Sequence, residues 1–165
     1  MTQEELERAF VSVMQRVLQE KAEILTACRA VLDAALDIAE LDRAAKRLEE
    51  QVLGIAERVR KLVEENARVQ MNQEEYQREY NSLAEDYEKA SEKLRRIADQ
   101  KQDKADRRRR IEVFLRMLEQ QEECLDFDPY IFVALVDRVV VRKDRRLVFC
   151  LRNGMGFEHR SDGQS

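Results

Sequence analysis

Along residues 3–35, apolar side chains stand at Leu6, Phe10, Val13, Met14, Val17, Leu18, Ile24, Leu25, Cys28, Val31, Leu32 and Ala35. Both the i+3 and the i+4 neighbours are often apolar, so the stripe is wide, as a helix packed into a globular core requires. The face lapses near Gln19 to Lys21, which predicts a break. From Ile38 the pattern narrows: Ile38, Leu41, Ala45, Leu48, Val52, Ile55, Val59 and Leu62 follow at alternating spacings of three and four, with charged residues between. That is the seam of a coiled coil. The spacing recurs at Tyr76, Tyr80, Leu83, Tyr87, Ala90, Leu94 and Ile97, and the stripe widens again at Ile111, Phe114, Leu115 and Leu118.

Heptad phase alone allows two arrangements of these seams. Counting on from Leu62 gives Asn66, Val69, Gln73 and Tyr76, so one unbroken register runs straight through. Against continuity, the seam turns polar at Asn66 and Gln73, and Asn72 before Gln73-Glu74-Glu75 has the form of an N-cap with an acidic first turn. We favour a bend between Asn66 and Asn72, which makes a hairpin of about 30 residues per helix and ~45 Å reach.

After Cys124 the grammar changes. Asp128-Pro129 predicts an N-cap followed by the residue best suited to the first helical position, with a short apolar helix over Tyr130 to Arg138. Val139-Val140-Val141, a polar turn at Lys143-Asp144-Arg145, and Leu147 to Leu151 predict a β-hairpin ending at Asn153-Gly154. The expected fold is mainly α: a long antiparallel coiled-coil hairpin arm projecting from a small helical base that ends in a short helix and a β-hairpin. Its expected divisions are a base at 1–36, an arm at 37–103 with its tip near 66–72, a return helix, short helix and β-hairpin at 104–157, and a disordered tail at 158–165.

Composition agrees with a helical surface exposed on two sides rather than a thick core, since 39% of the residues are charged, 6% are aromatic and Trp is absent. The formal net charge of −4 decides no partner by itself, but Lys104 to Arg110 and Arg138 to Arg146 are strongly basic. Cys28, Cys124 and Cys150 show no C-x-x-C pairing, which argues against a disulfide framework or a complete zinc site and for a reducing cytoplasm. No apolar run approaches the ~20 residues that span a bilayer, so a membrane partner is not expected.

Catalytic chemistry is thinly supplied. His159 is the sole histidine, and the many Glu and Asp residues sit at helical spacings that suggest pairs with Lys and Arg on solvated faces. No catalytic residues, cofactor or metal ligands are assigned. Among the basic stretches, Arg107 to Arg110 points in all directions on a helix. Arg138, Arg142, Lys143, Arg145 and Arg146 gather around one hairpin turn, where contact with DNA phosphates and simple solubility are both open readings. Tyr76, Tyr80 and Tyr87 are expected in the coiled-coil core with Leu48, Val52, Ile55, Val59, Leu62 and Leu83. Arg68, Val69, Met71 and Asn72 fall in the proposed bend, where the two apolar side chains either meet a partner or cap the hairpin's own seam.

These residues carry a resemblance that covers nearly the whole chain. Glu75-Tyr76, Tyr80, Leu83 and Tyr87, then Phe127-Asp128, Leu135-Val136-Asp137-Arg138-Val139 with Val141, and finally Leu147, Phe149 and Asn153-Gly154 resemble the C-terminal region of large serine recombinases. Glu4-Glu5-Leu6 with Ala9-Phe10 resembles the helix that follows that family's zinc ribbon. The resemblance implies a regulatory and DNA-docking part of a site-specific recombinase, cytoplasmic and bacterial or phage-encoded. The catalytic serine and the zinc-binding cysteines would lie upstream of Met1. It implies other recombinase subunits, DNA and a recombination directionality factor as partners. The arm, through Arg68, Val69, Met71 and Asn72, would pair between subunits in synapsis. The alternative is a structural coiled-coil protein in which residues 38–118 form one extended dimeric rod.

Overall fold

The computed structural model describes residues 2–160. Helix α1 (Gln3–Gln19) starts on a capping box: the Glu5 backbone N–H donates to Thr2 Oγ1 at 3.3 Å, and the Thr2 N–H donates to Glu5 Oε2 at 2.7 Å. The helix ends where the apolar face lapses, at Glu20, and α2 (Lys21–Ala30) follows. The chain then widens into a π-helical turn, Val31–Ala35, which the periodicity did not predict. There the Leu36 N–H reaches back to Val31 O at 3.2 Å, and the Leu32 carbonyl accepts from Arg108 Nη2 at 2.8 Å.

Contacts divide the chain into two compact units, one made of Met1–Leu36 with Asp106–Ser165 and the other of Asp37–Ala105. The second unit is a helical hairpin. Helix α3 (Ala39–Arg68) ends at Val69, and α4 (Gln73–Gln120) begins after Asn72. Asn72 Oδ1 accepts from the backbone N–H groups of Glu74 (2.9 Å) and Glu75 (3.2 Å), the N-cap anticipated from the residue order. Ile55, Leu62, Leu83 and Ala90 form the buried seam, with Leu48, Val52, Val59, Met71 and Tyr76 packed against it. Lys101 Nζ lies 2.5 Å from Asp42 Oδ1, and Lys104 Nζ donates to Asp37 O at 2.9 Å. Residues near the start of α3 therefore meet residues from far along α4, and the single continuous rod through residues 38–118 is not the fold. The two polar interruptions of the heptad meet each other at the turn, Gln73 Nε2 donating to Asn66 Oδ1 at 3.3 Å and to Met71 O at 3.2 Å.

The other unit packs α1, α2 and the last turns of α4 with α5 (Pro129–Leu135) and a sheet. The Asp128 side chain accepts from the N–H groups of Tyr130 (2.8 Å) and Ile131 (3.4 Å), with Pro129 at the first helical position. Two expectations need correction here. The short helix stops at Leu135 rather than Arg138, and strand β1 (Val136–Val141) takes over, since its β-branched run pairs with β2 (Arg146–Leu151). The sheet has a third strand, β3 (Gly156–Arg160), in the order β1-β2-β3, so residues 158–160 are not a disordered tail. A turn around Gly154 (φ 94°) brings Phe157 opposite Phe149, and burial of that ring holds the otherwise polar strand. The rest of the proposed tail, 161–165, lies outside the described residues.

The core of this unit centres on Phe10, which is fully buried and meets the rings of Phe127 (5.6 Å), Phe132 (5.1 Å) and Phe149 (6.2 Å). Arg16 joins the first helix to the last strand. Its Nη1 donates to Glu158 O at 2.8 Å and its guanidinium lies 5.7 Å from the centre of the Phe157 ring.

Candidate nucleic-acid interface

Alternation along β2 gives the sheet two faces. Leu147, Phe149 and Leu151 are buried, whereas Arg146, Val148 and Cys150 are half-buried on the opposite face. The antiparallel register carries that second face across all three strands: Val140 stands opposite Val148 and Arg138 opposite Cys150 on one side, and Arg160 opposite Arg146 and Glu158 opposite Val148 on the other. Arg142 joins this end of the sheet through its backbone N–H, which donates to Arg146 O at 2.9 Å. The five basic residues of the sequence cluster are thus gathered on one hairpin, and the sheet adds Arg160, which lies in strand β3 rather than in the expected tail.

Electrostatics concentrate here. Residues 136–160 hold seven Arg and Lys against three Asp and Glu, a surplus of four positive charges in a chain whose net charge is −4. The cations are nonetheless engaged locally. Arg138 Nη1 lies 3.1 Å from Asp137 Oδ2, Arg142 Nη2 lies 3.5 Å from Glu158 Oε1, and Arg146 reaches both Asp144 Oδ2 (2.5 Å, from Nε) and Glu158 Oε2 (3.1 Å, from Nη1). The Arg146 hydrogen bond holds the Asp144 carboxyl below its ordinary range, and the Asp144 bond, with the Asp144 and Glu158 charges, pushes Arg146 up. Both groups stay charged through the neutral range. Lys143 and Arg145 occupy the exposed turn, Arg145 with a positive φ of 61°. Arg152 is different: its Nε donates to Val133 O at 2.9 Å and its N–H to Leu135 O at 2.9 Å, so it braces the end of α5.

The earlier run Arg107 to Arg110 is partly structural. Arg108 holds the Leu32 carbonyl and lies 3.6 Å from Glu112, and Arg109 lies 3.9 Å from Asp106. On the hairpin, acidic and basic side chains pair at i,i+3 and i,i+4, as Glu85 does with Lys89 at 2.7 Å, which lowers the carboxyl's affinity for its proton.

At the turn between α3 and α4, Arg68, Val69 and Asn72 are exposed, and Val69 leaves 61% of its surface open. Met71 behaves differently from Val69, because it packs on the hairpin's seam and closes its end. The Asn72 carboxamide oxygen is committed to its cap. Leu48, Val52, Ile55, Val59, Leu62, Tyr76 and Leu83 all sit in the seam or against it, but Tyr80 and Tyr87 stay 38% and 41% exposed. Their placement as core residues is corrected. Tyr76 packs against the seam, whereas farther along α4 the small Ala90 is the enclosed residue and the rings of Tyr80 and Tyr87 stay partly open.

Burial first, then the charges of Asp126 and Asp128, push the Cys124 thiol up, which keeps it protonated and unreactive at neutral pH. His159 lies in β3 opposite Leu147. Among the described residues no three His, Cys, Asp or Glu side chains are grouped to hold a metal ion. No helix among them is long and apolar enough to cross a membrane. No protein-family model, curated protein or solved structure matches this chain, and its functional reading therefore rests on its own residues.

Proposed function

We propose that this chain is the regulatory and DNA-docking part of a site-specific serine recombinase. In this reading the basic sheet seats on the DNA backbone, and the coiled-coil hairpin meets other recombinase subunits in synapsis and controls the direction of recombination, with a directionality factor as a further partner. Strand breakage belongs to a catalytic serine elsewhere in the parent protein, and zinc to an upstream ribbon. The observation that carries the DNA-docking half is the gathering of Arg138, Arg142, Lys143, Arg145, Arg146 and Arg160 on one three-stranded sheet and its turn in a chain that is acidic overall, while the recombinase half rests on the resemblance of the residue order. Neutralising phosphates with such a cluster releases counterions, which gives salt-dependent affinity without base readout.

Backbone strain supports it. Arg145 takes a left-handed conformation that glycine adopts without penalty and that costs a residue with a Cβ about 1 kcal/mol. A cation thus stands at the apex of the turn, in a conformation that Gly would adopt at lower cost. Arg145→Gly is therefore expected to raise the thermal midpoint while weakening binding to a ~25 bp duplex several-fold, with a shallower salt dependence. A variant that gains stability and keeps its full affinity would take the apex off the DNA.

The subunit-contact half rests on Val69, the exposed apolar residue at the turn. Val69→Glu is expected to abolish self-association in sedimentation velocity while far-UV circular dichroism keeps its helical signal, because Val69 lies outside both helices. Equal self-association in wild type and variant would remove the turn from the interface.

A further inference from the structure

Glu158 occupies a peculiar place on the basic sheet. Its two carboxylate oxygens are divided between two arginines from different strand ends: Oε1 lies 3.5 Å from Arg142 Nη2, and Oε2 accepts from Arg146 Nη1 at 3.1 Å. A phosphodiester also presents two non-bridging oxygens with one negative charge between them, and guanidinium groups bind both anions through the same donor geometry. Resting on the reading that this sheet seats on nucleic acid, we propose that Glu158 is a resident surrogate for a backbone phosphate, holding Arg142 and Arg146 in place until DNA displaces it.

The surroundings favour an exchangeable contact over a structural one. Arg142 and Glu158 are about half exposed and Arg146 somewhat less, so water and salt screen their attraction and an incoming polyanion can compete. Strand β3 does not depend on this carboxylate. The backbone of Glu158 is held by Arg16 through its carbonyl at 2.8 Å, Phe157 is buried, and the strand pairs with β2 from Arg160 to Gly156. Arg146 also keeps its bond to Asp144, so displacement of Glu158 leaves that guanidinium oriented. The carboxylate thus lowers affinity for DNA while keeping two long side chains preset.

Glu158→Gln tests this, because it removes the charge and keeps the shape. Asp144→Asn is the control, since it also removes one negative charge from the hairpin but bridges no arginine pair. Binding of a random-sequence ~25 bp duplex to the whole chain, followed by fluorescence anisotropy from ~50 to ~200 mM salt, should tighten about three- to tenfold in E158Q, with a salt slope steeper by one to two. D144N should change much less. Equal gains in both variants would mean that net charge alone matters, and would overturn the surrogate. No gain in E158Q, while reversal of Arg142 and Arg146 weakens binding, overturns the surrogate but leaves the DNA interface standing. Absence of salt-dependent binding in every variant sinks the DNA reading itself. An equal E158Q gain on phosphatidylglycerol vesicles would overturn nucleic acid as the ligand.

Discussion

Phe10→Ala is expected to destabilise the unit built from the chain's two ends by about 3–5 kcal/mol, the range for truncating a buried aromatic. Phe10 is fully buried and touches the rings of Phe127, Phe132 and Phe149, so its loss opens a cavity at the junction of α1, the segment before α5, α5 itself and β2. Helix α1 would lose its shared contact with segments more than a hundred residues further along the chain. Total stabilities of small domains are only ~5–15 kcal/mol, so the loss is a large fraction of the margin. Urea titration should show an earlier transition for this unit. The hairpin Asp37–Ala105 has its own seam and should keep its helical signal in the same experiment. An unchanged urea midpoint would show that Phe10 is not the keystone of that core.

Reversing Arg142, Lys143, Arg145 and Arg146 together to Glu is expected to weaken binding to duplex DNA by more than about a hundredfold at low salt. Each phosphate contact contributes ~0.9 to the slope of log affinity against log salt, so loss of up to four contacts lowers that slope by up to ~3.6. New repulsion from Glu158 and Asp144 would also strain the sheet, which makes the neutral Gln quartet a necessary companion. That quartet removes the same contacts without opposing charges, and its affinity should fall between wild type and the reversed variant. Full retention of affinity and slope in both quartets would take this hairpin off the DNA backbone.

The parts of the fold visible in the residue pattern were those set by local spacing. The heptad from Ile38 to Leu62, the lapse at Gln19 to Lys21, the Asn72 and Asp128 caps and the β1-β2 turn depend on neighbours a few residues apart, and each is found. The misses came from longer-range physics. Gly156 to Arg160 has a polar composition with one apolar ring, and only the waiting edge of β2 makes it a strand. Tyr76, Tyr80 and Tyr87 all fall on the heptad, yet only Tyr76 packs against the seam, a difference that spacing along one helix does not encode. The π-helical turn at Val31–Ala35 has no spacing signature, and its freed carbonyl is met by Arg108, 76 residues further on. Of the basic cluster, residue type and turn position were legible. The pairing of Arg142 and Arg146 through Glu158 was not, since it requires β3.

The bond from Arg16 to the Glu158 carbonyl joins residues 142 positions apart. Contacts of such separation slow folding, because a long loop must close before they form. The hairpin can relieve this burden, since its seam pairs residues that converge on one turn and can zip outward from it. Once zipped, Lys104 and Asp37 are joined at 2.9 Å, and the chain between them acts kinetically as a short connection. The helical hairpin should therefore form early, with assembly of α1 onto β3 as the slow step.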